Sequence, residues 1–505
     1  EGGWLRSLVD FGEAADSPVT WLVDPALPDV VRRLSLGNPA RSLAPTLPPG
    51  AEEPVGEGTE EPSPSATVSP PASDDAAPEE DLSPEETAVA EVATEWLADL
   101  RGALAGDQVL SLPYGDVDAA AAADHGRDLF DLAAARPGAV LSSWQVESTP
   151  AIGSPSGYLD AAGISLATPA TTTLLTDRMF GDDPPAVADT GREQLVVLSS
   201  GATEGGPGPG DRLSTVALRQ RILSEAAVRM VDTGDRPLVV TLPIGWRPDD
   251  LDAFFDGLDA DWLDLSTVAD ATDRPAATVD VDNLAYPRKQ ADRELGPASF
   301  EAAEDLISAG RRLETLLTRN DQIAASVTDQ ALTGTAYAVR QAPRTARRST
   351  RQSQAWIETR LESVQVDAPP GVTLSGGTGS FLTTVTNGLD EPVTVVVTSV
   401  EGSGIDVSDS EPLQLAPGSQ TTVLLNVHTT RRGVHDVTLH ATDVDGGLLG
   451  SSDSLPIRSA QVSTVIWVII ASGAGILFLA VTARLVRRFR RRHDPLPESE
   501  PEPVA

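Results

Sequence analysis

Cysteine is absent from all 505 residues, which excludes disulfide frameworks, thiolate metal sites and cysteine nucleophiles together. Lysine occurs once, at Lys289, and histidine five times, at His125, His428, His435, His440 and His493. Only His125 lies in the first three hundred residues, so a zinc site of one Asp and two His cannot be assembled there. That residue follows an Ala-rich stretch and no G-x-S-x-G elbow, so a Ser-His-Asp triad is not favoured either. No apolar run leads into G-x-G-x-x-G or a phosphate loop, and neither a cofactor nor a metal is expected. Positive charge is also scarce: 37 Lys+Arg stand against 75 Asp+Glu, a formal net charge of -38. A surface this acidic repels phosphate backbones in general, and no nucleic-acid partner is expected. Aromatics reach only 4%, yet 40% of residues are apolar, enough for the cores of two or three domains.

What is present is a regular alternation. Up to about residue 290, helical stretches separate short apolar runs at 19–24, 109–116, 139–146, 163–169, 195–200, 238–246 and 261–268. Near-continuous apolar strands between helices predict a parallel sheet. Seven of them predict an α/β, barrel-like (β/α) domain over 1–295, incomplete at its amino terminus and closing at eight strands. A doubly wound open sheet is the alternative. The chain opens at Glu1-Gly2-Gly3-Trp4 with no initiator Met and no apolar leader, so an upstream piece is expected. A Pro, Glu, Ser and Ala-rich tract over 44–81 predicts a disordered insertion, since it has too little apolar surface to offset its ordering entropy. Helix resumes at Ser83-Pro84-Glu85-Glu86, a capping box with proline at the first helical position.

Residues 296–364 show a helical period through Phe300, Ala303, Leu306 and Leu313, with a break at Ala342-Pro343, and predict a helical neck. Its basic run, Arg340, Arg344, Arg347, Arg348, Arg351 and Arg360, has two readings: a contact for anionic headgroups or wall polymer, or a solvated face paired with the acidic barrel. Over 366–458 the period becomes two. Phe381, Thr383 and Val385 alternate with Leu382, Thr384 and Thr386, and turn signals stand at Asn387-Gly388 and Asp445-Gly446. This predicts an all-β immunoglobulin-like sandwich without its disulfide. From Val462 to Ala483 no residue is charged, and 22 residues at roughly 1.5 Å each match a hydrocarbon core of roughly 30 Å. One transmembrane helix is expected over 462–483. Arg484, Arg487, Arg488, Arg490, Arg491 and Arg492 follow it, against Arg458 alone on the other flank. The positive-inside rule then puts the basic and then acidic tail, 484–505, in the cytoplasm and the large amino-terminal part outside the cell membrane.

Thr20-Trp21-Leu22-Val23-Asp24-Pro25, Leu112-Pro113-Tyr114-Gly115-Asp116 and Thr383-Thr384-Val385-Thr386-Asn387, with a terminal span and Arg-rich tail, together resemble one family. It is the uncharacterised actinobacterial single-pass envelope proteins grouped as domain of unknown function 6049. The resemblance covers nearly the whole chain. It implies an upstream signal peptide and, because such proteins are often encoded beside the lipid II flippase of peptidoglycan synthesis, a cell-envelope role, and it carries over no catalytic residue.

A parallel barrel presents functional groups at the carboxyl ends of its strands. Asp24 and Asp116 are there, candidate carboxylates for glycoside hydrolysis, with Trp21, Tyr114, Trp144 and Trp246 as candidate faces for sugar rings. Asp24-Pro25 and Gly115-Asp116 also read as turn and cap chemistry. Leu112-Pro113-Tyr114-Gly115 and Leu242-Pro243-Ile244-Gly245 share L-P-x-G, either a pocket rim or plain strand termination. The architecture favours a non-catalytic envelope protein that binds a cell-wall polysaccharide or a peptidoglycan-synthesis membrane protein. A glycan-active hydrolase and a pure spacer are the alternatives.

Overall fold

The computed structural model describes residues 3–15, 17–47, 82–204, 214–233, 236–243, 245–247, 251–400, 405–430, 433–459 and 464–490. They fall into two units, Glu1–Arg360 and Leu361–Ala505.

Seven strands of the first unit form one sheet: β1 (Thr20–Val23), β2 (Gln108–Ser111), β3 (Thr149–Gly153), β4 (Thr172–Thr176), β5 (Val187–Asp189), β6 (Gln194–Leu198) and β7 (Ala277–Thr278), in the order β1-β2-β3-β4-β6-β5-β7. Every pair from β1 to β6 in that order is parallel, β5 and β6 form an antiparallel hairpin, and Val239 adds a parallel bridge to Leu198. Leu110, Ala151, Leu174, Val196 and Val239 meet in one buried cluster with Ala271. Ala271 belongs to the short helix Val268–Thr272. Its first two amides donate to Thr20 Oγ1 (2.9 Å) and Gln108 Oε1 (3.0 Å), at the starts of β1 and β2, and it also packs on β6. A flat sheet would hold β1 and β6 four spacings, roughly 19 Å, apart, whereas five helical residues span roughly 7.5 Å. The sheet is therefore curled around this plug. Among the described residues no pairing joins its edges, β1 and β7, so they do not close an eight-stranded barrel.

Three of the seven apolar runs overlap β1, β2 and β6. The run 139–146 instead forms the helix Ala139–Trp144, because its first two amides donate to the Asp29 carboxylate at 2.9 and 2.8 Å. That cap comes from far away in the chain, beyond what local spacing reveals. The run 163–169 begins inside the helix Ala161–Ile164, capped by Asp160 accepting from Gly163 N at 2.8 Å, and the strand comes later, in the Thr-rich β4. Runs 238–246 and 261–268 yield the Val239 bridge and the start of the plug helix. β3, β4, β5 and β7 lie outside every run that periodicity marks.

The capping box at Ser83 forms: Glu86 N donates to Ser83 Oγ at 3.3 Å and Ser83 N to Glu86 Oε2 at 2.9 Å. The helix it starts, Pro84–Ala103, buries Trp96 and Leu100 against Val9 of the helix Trp4–Glu13 and against Val109 of β2. Of the insertion expected over 44–81, residues 48–81 lie outside the described residues. Its first residues are held in place, with Asn320 Nδ2 donating to Ala44 O (2.8 Å) and Thr46 N to Arg319 O (2.8 Å). Helices Pro297–Leu316 and Ile323–Thr333, expected as part of a neck, are built into the first unit. Phe300 is fully buried beside Gly126, and the backbone of Thr333 lies against Gly115. The break at Ala342 is present, since the next helix runs Pro343–Leu361.

The second unit begins with nine strands: β8 (Val364–Asp367), β9 (Val372–Leu374), β10 (Thr378–Asn387), β11 (Val393–Ser399), β12 (Ile405–Val407), β13 (Leu413–Leu415), β14 (Gln420–Thr429), β15 (Gly433–Thr442) and β16 (Leu448–Ser459). They make two sheets, β12-β14-β10-β8 and β13-β11-β15-β16-β9, antiparallel throughout apart from β9 with β16. Period two sets the two faces of each strand. Phe381, Thr383 and Val385 are buried while Leu382 opposite Leu424 is exposed. Asn387, read as a turn residue, is wholly buried: its amide donates to Glu391 O (2.8 Å) and Ala416 O (3.0 Å), and its Oδ1 accepts from Leu389 N (2.9 Å). A helix, Thr464–Arg490, follows. Along Val468–Arg488 it is long and apolar enough to cross a membrane and none of it is buried, with Ile469, Ile476 and Phe478 each more than three-fifths exposed.

Candidate functional site

The two amino-terminal family markers, far apart in sequence, meet at one carboxylate. β1 delivers Asp24 beside the loop that follows β2, and Asp24 Oδ1 accepts from Ala26 N at 2.9 Å and from Gly115 N at 2.8 Å. The first bond begins the helix Ala26–Ser35; the second ties the ends of β1 and β2 together. Burial raises the pKa of Asp24, the two amides pull it back, and nearby Asp29 raises it again.

The loop itself is a tight turn. Asp116 N donates to Pro113 O at 2.8 Å, and Gly115 takes φ +80°, the left-handed conformation that a type II turn requires at its third residue. A Cβ on Gly115 would lie 3.1 Å from Thr333 Cα and N, so glycine is also needed for the close approach of the Ile323–Thr333 helix. The second L-P-x-G makes the same turn, Trp246 N donating to Pro243 O at 3.0 Å with Gly245 at φ +79°; Ile244 lies outside the described residues. The repeat is thus a turn device, and its two copies do not share a pocket among the described residues.

Asp116 has φ +47°, and its carbonyl accepts from Tyr337 N at 2.7 Å. Its carboxyl group is desolvated and faces Asp24 and Asp118, which together push its pKa well above the ordinary carboxylate range, with Arg340 opposing. Asp118 is fully buried and has a full set of donors. Its Oδ2 accepts from Leu295 N (3.1 Å) and Arg340 Nε (2.7 Å), and its Oδ1 from Ala121 N and Arg340 Nη2. Arg340 stacks on the Tyr337 ring at 4.3 Å, and its Nη1 is buried without a hydrogen-bond partner among the described residues. A cavity of about 10 Å³ lies between Asp116, Ser154, Tyr158, Tyr337 and Arg340, at the carboxyl ends of β2 and β3. This is room for about one water molecule.

Tyr114 points the other way. It is buried, donates to Asp29 Oδ2 at 3.3 Å and lies beneath Arg136, whose guanidinium is 5.4 Å from its ring and paired with Asp329. Burial and the flanking Asp329 and Asp29 push the pKa of its hydroxyl up.

The candidate sugar faces are therefore dispersed. Tyr114 is core. Trp246 is fully buried against Phe11 and Phe254, centroids 5.5 and 5.3 Å away, so it cannot stack on a ligand in this state. Trp21 is half-buried and donates to Asp107 Oδ2 (3.0 Å), and it packs with Trp144 on the cluster around Trp96. The carboxylates converge but the tryptophans do not join them. Arg340, Asp118, Asp29 and Asp329 complete the polar network; Arg340 is marked in the sequence only as part of the basic run, and the three aspartates by no motif. Their signal, a buried charge opposite another, exists only in three dimensions. Of the topology arginines, Arg484, Arg487, Arg488 and Arg490 lie in the apolar helix's final turns, and Arg491 and Arg492 lie outside the described residues.

No curated protein matches the chain in sequence. Solved structures similar to part of it include the following. WR4, a Caenorhabditis elegans member of the MSP family, is 13% identical over 20% of this chain and 99% of its own, with a TM-score of 0.16. Escherichia coli alpha-2-macroglobulin is 22% identical over 19% of this chain and 6% of its own (TM-score 0.15). The seventh PapD-like domain of human CEP192 is 11% identical over 20% and 88% (TM-score 0.16). The model of a family of unknown function, DUF6049, matches residues 13–501, and the chain belongs to that family.

Proposed function

We propose that this protein is a single-pass, membrane-anchored, extracytoplasmic cell-envelope protein. In this reading its first unit is a (β/α) barrel-like module that binds a cell-wall component or a membrane partner in peptidoglycan or envelope assembly and performs no chemistry, and its second unit is an immunoglobulin-like spacer above the anchor. The observation that carries the non-catalytic reading is the cavity beside Asp116, about 10 Å³ and too small for a sugar ring; that Asp24 holds two backbone amides agrees with it. The anchor is supported by the apolar helix, unburied along Val468–Arg488, whose transfer from water into a lipid phase is favourable. Its arginine-rich end supports a cytoplasmic carboxy terminus.

Glycoside hydrolysis is the second reading, favoured by the raised pKa of Asp116 next to Asp24 at strand carboxyl ends. The test uses the full chain in neutral-lipid nanodiscs mixed with insoluble cell wall, measuring bound protein and released reducing ends. Binding without release is expected. Release that vanishes in Asp116→Asn would replace this reading with a hydrolase, and neither binding nor release would leave a membrane partner as the ligand.

A further inference from the structure

The arginines of the helix Pro343–Leu361 stand apart from the acidic sequence that precedes the apolar helix. From Gln330 to Ile357 there are five arginines and no acid, where the chain's mean acid density would place about four acidic residues. The buried side of the helix sets which arginines face outward. Thr350 is 5% and Ile357 0% exposed, and Ser353 Oγ accepts from Gln330 Nε2 at 2.6 Å, so this side of the helix is covered. The opposite face then presents Arg344, Arg348 and Arg351, all exposed, at i, i+4 and i+7. At 1.5 Å per residue they follow one another at about 6 and 4.5 Å along the axis. Among the described residues none of the three forms an ion pair, and neither does the half-buried Arg347. Pairing with the acidic domain therefore does not account for them. Like charges at helical neighbours cost a few tenths of a kcal/mol per pair, so stability does not account for them either.

We infer that this stripe is a binding surface for a linear phosphodiester polymer, laid along the helix with its charges opposite successive arginines. The single file of cations suits a chain of regularly spaced anions. A lipid surface fits less well, because a helix lying on a membrane inserts apolar side chains beside its cations. No large apolar residue between Pro343 and Arg360 is exposed; the outward face carries Thr345, Ser349, Gln352 and Thr359 instead. The net charge of -38 does not cancel the stripe, since at 0.1 M salt charges beyond about 10 Å are largely screened. The inference relies on the extracytoplasmic reading only for where such a polymer would be met. Its test uses purified components, so it fails or stands independently of wall binding.

The experiment titrates purified polyglycerol phosphate into the full chain held in neutral phosphatidylcholine nanodiscs, at 0.05 to 0.3 M NaCl. Three arginines neutralising three phosphates give a slope of log K against log salt near -2, about fourfold weaker binding from 0.1 to 0.2 M. Each of Arg344→Gln, Arg348→Gln and Arg351→Gln should make the slope shallower by about 0.7, and the triple variant should abolish salt-sensitive binding with its melting curve unchanged. Absence of binding at 0.05 M salt overturns the inference. So does undiminished binding by a folded triple variant, or binding to phosphatidylglycerol vesicles without binding to the soluble polymer.

Discussion

Asp24 is the position at which a structural and a catalytic role predict opposite results. Its Oδ1 is the acceptor for Ala26 N and Gly115 N, and both residues are buried. Asp24→Ala leaves two buried amides without that partner, at about 1–3 kcal/mol each, while removing a desolvated carboxylate that itself costs stability. The net loss expected is about 3 kcal/mol, a fall of roughly 6 °C at about 2 °C per kcal/mol for a unit of this size. Asp24→Asn keeps an acceptor oxygen in place. Both bonds survive as neutral rather than charge-assisted ones, and the buried charge is gone, so the change should stay within about 1 kcal/mol of the parent. Differential scanning fluorimetry of the full chain in nanodiscs, with wall binding measured on the same samples, separates the cases. The reasoning fails if Asn is as damaging as Ala, or if Asn leaves the fold intact and removes an activity toward wall glycan.

Other outcomes follow from the same network and from the sandwich. Arg340→Gln breaks a buried ion pair and should cost about 3–5 kcal/mol, whereas adding Asp118→Asn should restore part of it, a coupling that a double-mutant cycle in urea reads. Asp116 carries a folded pKa well above its unfolded value, so its contribution to stability is fully present below about pH 4 and is lost as pH rises toward the folded pKa. Asp116→Asn should therefore remove part of the wild-type decline between pH 4 and neutrality, seen as converging melting temperatures at low pH and a more stable variant at pH 7. In the second unit, Asn387→Ala removes the donor to Glu391 O and Ala416 O and leaves the buried Leu389 amide without its acceptor, and should cost about 1–3 kcal/mol in the sandwich transition by differential scanning calorimetry.

Different kinds of signal were legible to different degrees. The capping box at Ser83, the inward Phe381-Thr383-Val385 face and the apolar helix rest on residues within a turn or a strand of one another, and all three stand in the structure. The run 139–146 failed because its amides are capped by Asp29, more than a hundred residues away, and an apolar stretch of eight residues fits strand and helix equally well. The site divides in the same way. Asp24 and Asp116 were singled out because they follow β1 and β2, and the structure brings their carboxyl groups near one another. Trp246 was misplaced as a sugar face because its burial depends on Phe11 and Phe254 closing over it.

By itself, then, the sequence determined the features whose cause is local: hydrophobic period, caps, left-handed glycines, charge runs and a stretch long enough to cross a bilayer. Only the tertiary structure decided what the carboxylates at the strand ends do. A lone Asp in a sequence is equally a nucleophile, a cap or half of an ion pair, and the choice lies with the groups the fold places within 3 Å. For Asp24 these are two backbone amides, and for Asp118 a buried guanidinium. Likewise, the arginine run reads in sequence as charge alone, and it becomes a continuous outward stripe because Thr350 and Ile357 are buried on the opposite side of its helix.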